Sequence, residues 1–556
     1  MKIKIPSRHR WLWTLLAGAL IGAVVFVLIY GPEVLDPTYD DWLLGEHSDS
    51  TQHYIGWKYY RKTPWQFPVG LIEGLVTDQK ISCIYLDCIP LFAVFFKLLS
   101  PLLPETFQYF GWWGLFSFAM QGGTAALLQY RLTGKPVFAL LCTPIYAAAP
   151  TVLQRMYGHE ALAGQWVILG GLLLWLYRDH PWKHPAMPIL LWTGLGLLVA
   201  GMHPYLVPMV YVLLLAYAVT DYLMRRDILR PGLSFLSMTA GIGIVYYVLG
   251  AFHDRGSNAS QGLGMYSSNY NTFYNPIDKS IFLRELPRTS EQYEGSAYLG
   301  LGVLAAGIVC IVLLCVRVKH SGGVRSFCHA LPKEQRIRTV LTLVLIVGSV
   351  IAAASPRGML NDRVLYDNAF LCSMPVIFRC TGRFIWLAYY PIMTWILSGI
   401  GRLPHKKAAA GLAVIVLLLQ MTDLSGYIRT KRVGEMHYQS GLSDPRWEEI
   451  CADADEFLFV PISPDYLTQW MLYYEFANYA ADHDMTLSSF SAARMDFERI
   501  HSYAEEELAR FVSGQNTKRE IVVFLSDGDL PEENEFFELL TLDGYTIAVS
   551  RQNAPD

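Results

Sequence analysis

Charge is scarce in this sequence. Asp, Glu, Lys and Arg make up 17% of 556 residues, against roughly a quarter in an average soluble domain, which argues against a soluble enzyme. A basic stripe is missing too, and the net charge is −4, so nucleic acid is excluded as a partner. The nine cysteines form no CxxC or Cys/His spacing suited to zinc. Cys83/Cys88 and Cys372/Cys380 stand near predicted outer faces, where pairing and apolar burial of free thiols are both open. No Gly-rich phosphate loop opens a helix of the C-terminal tail, so no nucleotide site is expected there. Leu12–Tyr30 lacks a small-residue cleavage site and reads as an anchor, not a cleavable signal. No internal repeat or low-complexity linker is visible.

What is present is apolar and comes in blocks. The chain is 53% hydrophobic and 13% aromatic, with a mean hydropathy of +0.28. Leu12–Tyr30, Gly111–Tyr130, Ala161–Tyr177, Ile189–Gly201, Leu206–Val219, Leu233–Ala251, Tyr298–Val316, Val340–Ala354, Phe384–Ile400 and Ala408–Met421 read as membrane helices. Ile84–Leu99 and Val137–Ala149 are weaker blocks, and the whole predicts 11–13 spans. The positive-inside rule orients them. Lys2, Lys4, Arg8 and Arg10 put the N-terminus in the cytoplasm, and Arg131/Lys135, Arg178/Lys183, Arg225/Arg226/Arg230, Arg317–Arg338 and Arg402/Lys406/Lys407 mark further cytoplasmic loops. One parity conflict remains: Leu12–Tyr30 runs outward, and Gly111–Tyr130 must also start outside. Ile84–Leu99 is then a re-entrant or interfacial element, or pairs with a further crossing near Pro101–Pro104, or Arg131/Lys135 break the rule.

The expected architecture is a polytopic helical bundle over residues 1–426, with extracytoplasmic loops 31–80 and 253–296. A soluble extracytoplasmic α/β domain follows over 427–556. From Tyr427 onward the tail holds 25 Asp/Glu against 10 Lys/Arg. Strands are expected at Glu456–Val460, Met485–Ser491, Glu520–Leu525 and Tyr545–Val549, and helices at Tyr466–Asp482, Glu498–Phe511 and Glu532–Leu540, giving a largely parallel sheet. Asp527-Gly528-Asp529 reads as a turn.

The loop 31–80 is acidic and aromatic, and its charged residues include Asp40, Asp41, Glu46, Asp49, Lys58, Arg61 and Lys62. Aromatics beside charges at a span end suggest interfacial helices. Asp49, His53 and Trp57 are spaced i, i+4, i+8 and share one face of a helix. Such a face suits glycosyl transfer from a lipid-linked sugar, which needs a base for the acceptor hydroxyl and positive charge or a metal for the departing phosphate. Asp49 is the first choice for the base, Asp41 the second and Asp40 the third. His53 and Trp57 would contact substrate.

A second cluster is Gln154-Arg155-Met156-Tyr157-Gly158-His159-Glu160. Arg155 suits a phosphate, and His159 and Glu160 suit sugar hydroxyls; the alternative is a helix-connecting turn ended by Gly158. A third is Phe378-Arg379-Cys380-Thr381-Gly382-Arg383, whose two arginines share a helical face and can grip one phosphate, with snorkelling as the alternative. His203 and Tyr205 at one segment end, and Asp87 in the weak block, are further substrate-binding candidates. The Ser-, Asn-, Tyr- and Gly-rich loop 253–296 suits sugar recognition by composition alone.

The first loop with its Asp-Asp and Ser-Asp-Ser-Thr-Gln-His, the many spans and the outside α/β domain resemble the GT-C superfamily of polytopic glycosyltransferases. Gly-Trp-Lys-Tyr-Tyr-Arg61, Leu-Asp-Cys-Ile-Pro90, Gly-His-Glu-Ala-Leu162 and Phe-Arg-Cys-Thr-Gly-Arg-Phe384 look like an uncharacterised bacterial membrane family near it. The resemblance implies a sugar taken from a polyprenyl-phosphate donor on the outer face of a bacterial inner membrane and passed to a glycan or lipid acceptor of the cell envelope. It implies that a first-loop carboxylate, Asp49 or Asp41, is catalytic; Glu46 stands where the pattern has Asp. No cofactor is required by the residues, and a divalent cation remains open. The rival functions are a transporter or flippase for a lipid-linked glycan and a non-catalytic envelope assembly protein. A transporter would carry charges mid-span, whereas here the polar groups gather at predicted outer ends.

Overall fold

A computed structural model describes residues 9–45, 48–253, 263–372, 377–434, 436–462, 470–526 and 530–551. The chain forms two compact units. The first is built from Met1–Leu35, Phe110–Gly243 and Ala259–Gly434, the second from Asp36–Tyr109, Ile244–Asn258 and Glu435–Asp556.

Seven helices among the described residues are long and apolar enough to cross a membrane: Arg10–Tyr30, Pro136–Arg155, Leu206–Arg225, Leu229–Val248, Leu301–His320, Lys333–Ala354 and Thr381–Gly401. Shorter apolar helices are Pro90–Leu102, Glu160–Leu176 and Met187–Ala200. The chain is a multi-pass membrane protein with a small sheet domain at its C-terminal end. Hydrocarbon cannot satisfy backbone polar groups, so a crossing segment must do so internally, as a helix does.

Small residues set the packing of the first unit. Arg10–Tyr30 lies against Phe110–Thr133, and a Cβ on Gly18 would strike Gly122 and Ala126, while one on Gly22 would strike the Phe118 carbonyl. Partner numbers fall as helix numbers rise, so the two run antiparallel. Without a hydrophobic drive between helices in lipid, such close backbone approach is what holds them. Hydrogen bonds between buried polar side chains add to it: Tyr390 Oη donates to Gln165 Oε1 at 2.6 Å and accepts from Gln121 Nε2 at 3.0 Å.

The antiparallel pair removes the parity conflict. Ile84–Leu99 is not a span. Cys83–Leu86 is a 3₁₀ turn and Pro90–Leu99 a helix of 10 residues, about half the length a crossing needs. Both belong to the second unit, so they add no crossing between Arg10–Tyr30 and Phe110–Thr133. Cys83 and Cys88 are free and buried, as is Cys380; the side chain of Cys372 lies outside the described residues.

The second unit centres on a five-stranded sheet with strand order Thr486–Leu487, Glu456–Val460, Glu520–Phe524, Tyr545–Ser550, Phe537–Leu542. The first three strands pair in parallel and the last two pairings are antiparallel. The sheet is therefore mixed, because the expected helix Glu532–Leu540 is instead the strand Phe537–Leu542, hairpinned onto Tyr545–Ser550 through Asp543-Gly544. Asp543 and Gly544 both take positive φ, the geometry of a tight hairpin turn. The strand expected over Met485–Ser491 shortens to Thr486–Leu487, and Asp527-Gly528-Asp529 lies outside the described residues. The early hairpin Leu71–Val76/Gln79–Ser82 joins this unit, with the Thr77 amide donating to Leu487 O at 2.8 Å.

Glu456, Glu507 and Glu520 are buried together under the helix Phe497–Val512. Burial, then repulsion from Glu507 and Glu456, pushes the Glu520 carboxyl up to about 7. The folded domain therefore keeps this proton to near neutrality, whereas the unfolded chain releases it near about 4.3. Between those values the native state binds more protons, and stability falls as pH rises. Glu520→Gln should flatten that fall, and amide hydrogen exchange of Glu520–Phe524 at pH 8 should slow by at least about tenfold, with little change at pH 4.

Candidate functional site

The helix Asp49–Lys62 organises the polar side chains of the second unit. Ser48 starts it with a capping box, accepting from the Ser50 amide while Thr51 Oγ1 accepts from the Ser48 amide. Asp49 thus sits in the first turn, where the positive end of the helix favours a carboxylate. Asp49, His53 and Trp57 share one stripe as expected, but they do different things. Trp57 is fully buried, donates from Nε1 to Phe107 O at 2.8 Å and packs edge-on against Tyr109 at 5.0 Å. It packs in the core and also borders the cleft beside this helix. His53 is 1% exposed and its Nε2 lies 3.7 Å from Asp87 Oδ2. Asp87 takes left-handed backbone at φ 51° just after the 3₁₀ turn, which turns the chain ahead of Pro90–Leu99.

The helix buries its remaining aromatics inside the unit instead of laying them on a membrane: Tyr59 Oη donates to Met485 O and Tyr60 Oη to Val69 O. Its other polar flank opens on a cleft of about 580 Å³ lined by Asp40, Asp41, Lys58, Arg61, Asn478 and Asp482 among others. Asp40 accepts from Tyr54 Oη at 2.6 Å. Burial raises the Asp40 carboxyl above the ordinary range, partly opposed by Tyr54 and Lys58. Lys58 Nζ bridges Asp482 at 2.5 Å and Asn478 at 2.8 Å. Asp41 Oδ2 stands 3.6 Å from His437 Nδ1. A carboxylate with a raised pKa in a polar cleft is the usual mark of a working acid or base.

In the first unit, Arg155 and Arg383 converge on a residue outside the predicted set, Glu294. Arg155 gives Glu294 two side-chain bonds, at 3.0 and 2.8 Å, and a third to its carbonyl at 2.9 Å. Arg383 Nε donates to the same carboxylate at 2.8 Å. His159 Nε2 is 3.9 Å from Glu294 Oε1 and 3.4 Å from the Arg383 guanidinium. Burial would raise the Glu294 carboxyl, but Arg155 and Arg383 hold it well below the usual range. Two guanidiniums against one carboxylate leave a unit of positive charge in a buried place. Glycines make the convergence: a Cβ on Gly382 would clash with Gly295, so the Arg383 turn and the Glu294 turn meet backbone to backbone.

Tyr205 braces this cluster. Its hydroxyl accepts from the Cys380 amide at 2.9 Å and its ring lies 4.6 Å from the Arg383 guanidinium. His203 Nδ1 accepts from the Tyr205 amide at 3.0 Å, which makes it a local turn-former. Glu160 is fully buried, accepting from the Gly158 amide at 3.3 Å and, through its carbonyl, from Trp113 Nε1 at 2.6 Å. Arg379 lies over the Tyr266 ring at 5.1 Å. Lys279, also unforeseen, is buried and donates to Ser296 Oγ at 3.0 Å. Burial, then repulsion from Lys431 and Arg155, lowers its ammonium to about 7. Two arginines expected in an apolar setting demand a counter-charge, and the search for one in loop 253–296 would have reached Glu294.

A family model described as a domain of unknown function, DUF6311, matches residues 19–425, and that of the DUF6311 C-terminal domain matches residues 446–550. A search of curated proteins finds no match. Among solved structures, the apo oligosaccharyltransferase of Archaeoglobus fulgidus is similar at TM-score 0.44 and 10% identity, over 93% of this chain and 70% of that one. The archaeal oligosaccharyltransferase AglB of the same organism, in complex with an inhibitory peptide and a dolichol-phosphate, is similar at TM-score 0.44 and 11% identity, over 99% of this chain and 75% of that one. At that distance the likeness bears on neither substrate nor mechanism.

Removing one side of the buried triad strands the other. Glu294→Gln should lower unfolding stability by about 3–5 kcal/mol, read as a fall in the thermal midpoint of the detergent-solubilised protein. A midpoint within error of the parent's would mean that the arginines are not held by this carboxylate.

Proposed function

The chain belongs to the DUF6311 family, and we propose that it is an integral-membrane glycosyltransferase that moves a sugar from a polyprenyl-phosphate donor to a cell-envelope acceptor on the outer face of a bacterial inner membrane. The observation that carries this reading is the Arg155–Glu294–Arg383 cluster with His159 beside it: buried, net positive and next to membrane helices. A departing lipid phosphate needs such a fixed positive field, and preorganised charge in a dry setting is a large part of catalytic power. Arg383 gives one N–H of its five to Glu294, so the carboxylate orients the fork without consuming it.

In the reaction the acceptor hydroxyl oxygen attacks the anomeric carbon, and the carbon–oxygen bond to phosphate breaks. The phosphate leaves with the bonding electrons and the hydroxyl proton passes to a carboxylate. Asp49 is the first candidate for that base, then Asp41 and Asp40. Burial raises the Asp40 carboxyl and leaves it less often ionised than an ordinary aspartate. His53 and Asp87 offer an imidazole and a carboxylate, donors that fit a divalent cation; such a cation would add positive charge for the leaving phosphate. In this reading the N-terminus is cytoplasmic and the sheet domain extracytoplasmic, with residues 427–556 as its soluble part.

The test is transfer from a polyprenyl-phosphate sugar in proteoliposomes. Asp49→Asn should cut turnover by roughly a hundredfold or more, the usual contribution of a positioned base, and Arg383→Gln should do so with a rise in donor KM. Full activity in Asp49→Asn, Asp41→Asn and Asp40→Asn alike would refute the base assignment. An unchanged envelope glycan in a deletion strain would refute the class and favour an assembly role.

A further inference from the structure

Helices Leu206–Arg225 and Leu229–Val248 enclose an apolar groove of about 660 Å³. Tyr211, Leu215 and Tyr222 line one wall, and Ile228, Gly232 and Phe235 the other. Both helices are long and apolar enough to cross a membrane. Leu215 is 62% and Ile228 74% exposed, so hydrocarbon is their natural surrounding. The Tyr211 ring meets Phe235 at 5.3 Å and narrows one end. Along the helix from Tyr211 to Tyr222 the groove runs about 16 Å at ~1.5 Å per residue, the depth of one leaflet of a ~30 Å hydrocarbon core. Position 232 faces this open space: a Cβ there would meet nothing within 4 Å.

The other end is charged: Asp227 lines it and is paired with Arg230, which leaves Arg226 beside it as the surplus cation. Arg226 is exposed, its guanidinium 5.1 Å from the Tyr222 ring that lines the groove. Its neighbours are engaged: Arg225 pairs with Asp179 at 2.9 Å and Arg230 with Asp227 at 3.8 Å. A leaflet-deep hydrocarbon slot ending at a cation matches one lipid class. We propose that this groove holds an acyl chain of an anionic phospholipid, with the headgroup phosphate met by Arg226. A zwitterionic lipid offers the chain but brings its own cation to the phosphate. A second copy of the protein could cover the groove but would not prefer one headgroup over another.

Two substitutions test this without disturbing the fold. Arg226 sits in left-handed backbone at φ 57°, which asparagine tolerates, so Arg226→Asn removes charge alone. Gly232→Leu fills open space. Native mass spectrometry of the full chain in detergent, titrated with phosphatidylglycerol or phosphatidylcholine, should give the parent a preference of about fivefold for phosphatidylglycerol, the effect of one basic residue near an anionic headgroup. Arg226→Asn should abolish the preference while keeping chain binding, and Gly232→Leu should remove one bound lipid of either kind. Equal affinity of the parent for both lipids would overturn the proposal. So would unchanged lipid stoichiometry in Gly232→Leu, or a parent dimer that Gly232→Leu dissociates.

Discussion

One carboxylate disciplines the first unit. Glu294 is buried between two guanidiniums that come from distant parts of the chain, at Arg155 and Arg383. None of the three tolerates burial alone, since an unpaired charge in a low dielectric costs several kcal/mol. Each therefore fixes where the other two must be. The segments that carry them follow: the C-terminal end of the helix Pro150–Arg155, the 3₁₀ turn Ser290–Gly295 and the 3₁₀ entry Thr381–Ile385. Tyr205, Cys380 and the Gly295–Gly382 contact are then consequences of bringing those backbones together. This is why the Cys-Thr-Gly-Arg run has glycine at its third place: any side chain there would hold Arg383 off its partner.

Membrane character and the alternating tail were legible in the sequence because both rest on periodic patterns. Blocks of apolar residues announce crossing helices whatever they pack against. The strands Glu456–Val460 and Glu520–Phe524 and the helix Phe497–Val512 fall close to where β-branched runs and amphipathic spacing put them. Glu532–Leu540 misled because acidic residues and leucines favour a helix locally, while the Asp543-Gly544 turn and the edge of Tyr545–Ser550 impose a hairpin. Ile84–Leu99 stayed open between a span and a re-entrant or interfacial element because a short apolar run looks alike in each; its helix of 10 residues is too short for a span.

Site residues were harder to read, since a side chain's chemical type does not reveal its partner. Trp57 and His53 share a helical stripe with Asp49, yet Trp57 meets Phe107 and Tyr109 while His53 faces Asp87. Arg155 and Arg383 were visible as cations, but Glu294 was hidden in a loop whose composition spoke only of Ser, Asn and Tyr. Lys58 and Asp482, which meet across more than 400 residues of sequence, had no local signal at all.

The second unit is made from three separated stretches of the chain. Thr77 in the early hairpin bonds to Leu487, a sequence separation of 410 residues. A ribosome adding roughly 5–20 residues per second needs something like 20–80 s to cover that distance. Throughout that interval the first polar segment is complete but lacks the sheet domain it bonds to, while the membrane helices after Arg10–Tyr30 are being made. The order of synthesis thus runs opposite to the order of need. For most of its manufacture the protein displays the Leu71–Ser82 hairpin without the Thr77–Leu487 contact that ties it to the later chain, the kind of surface that folding helpers recognise.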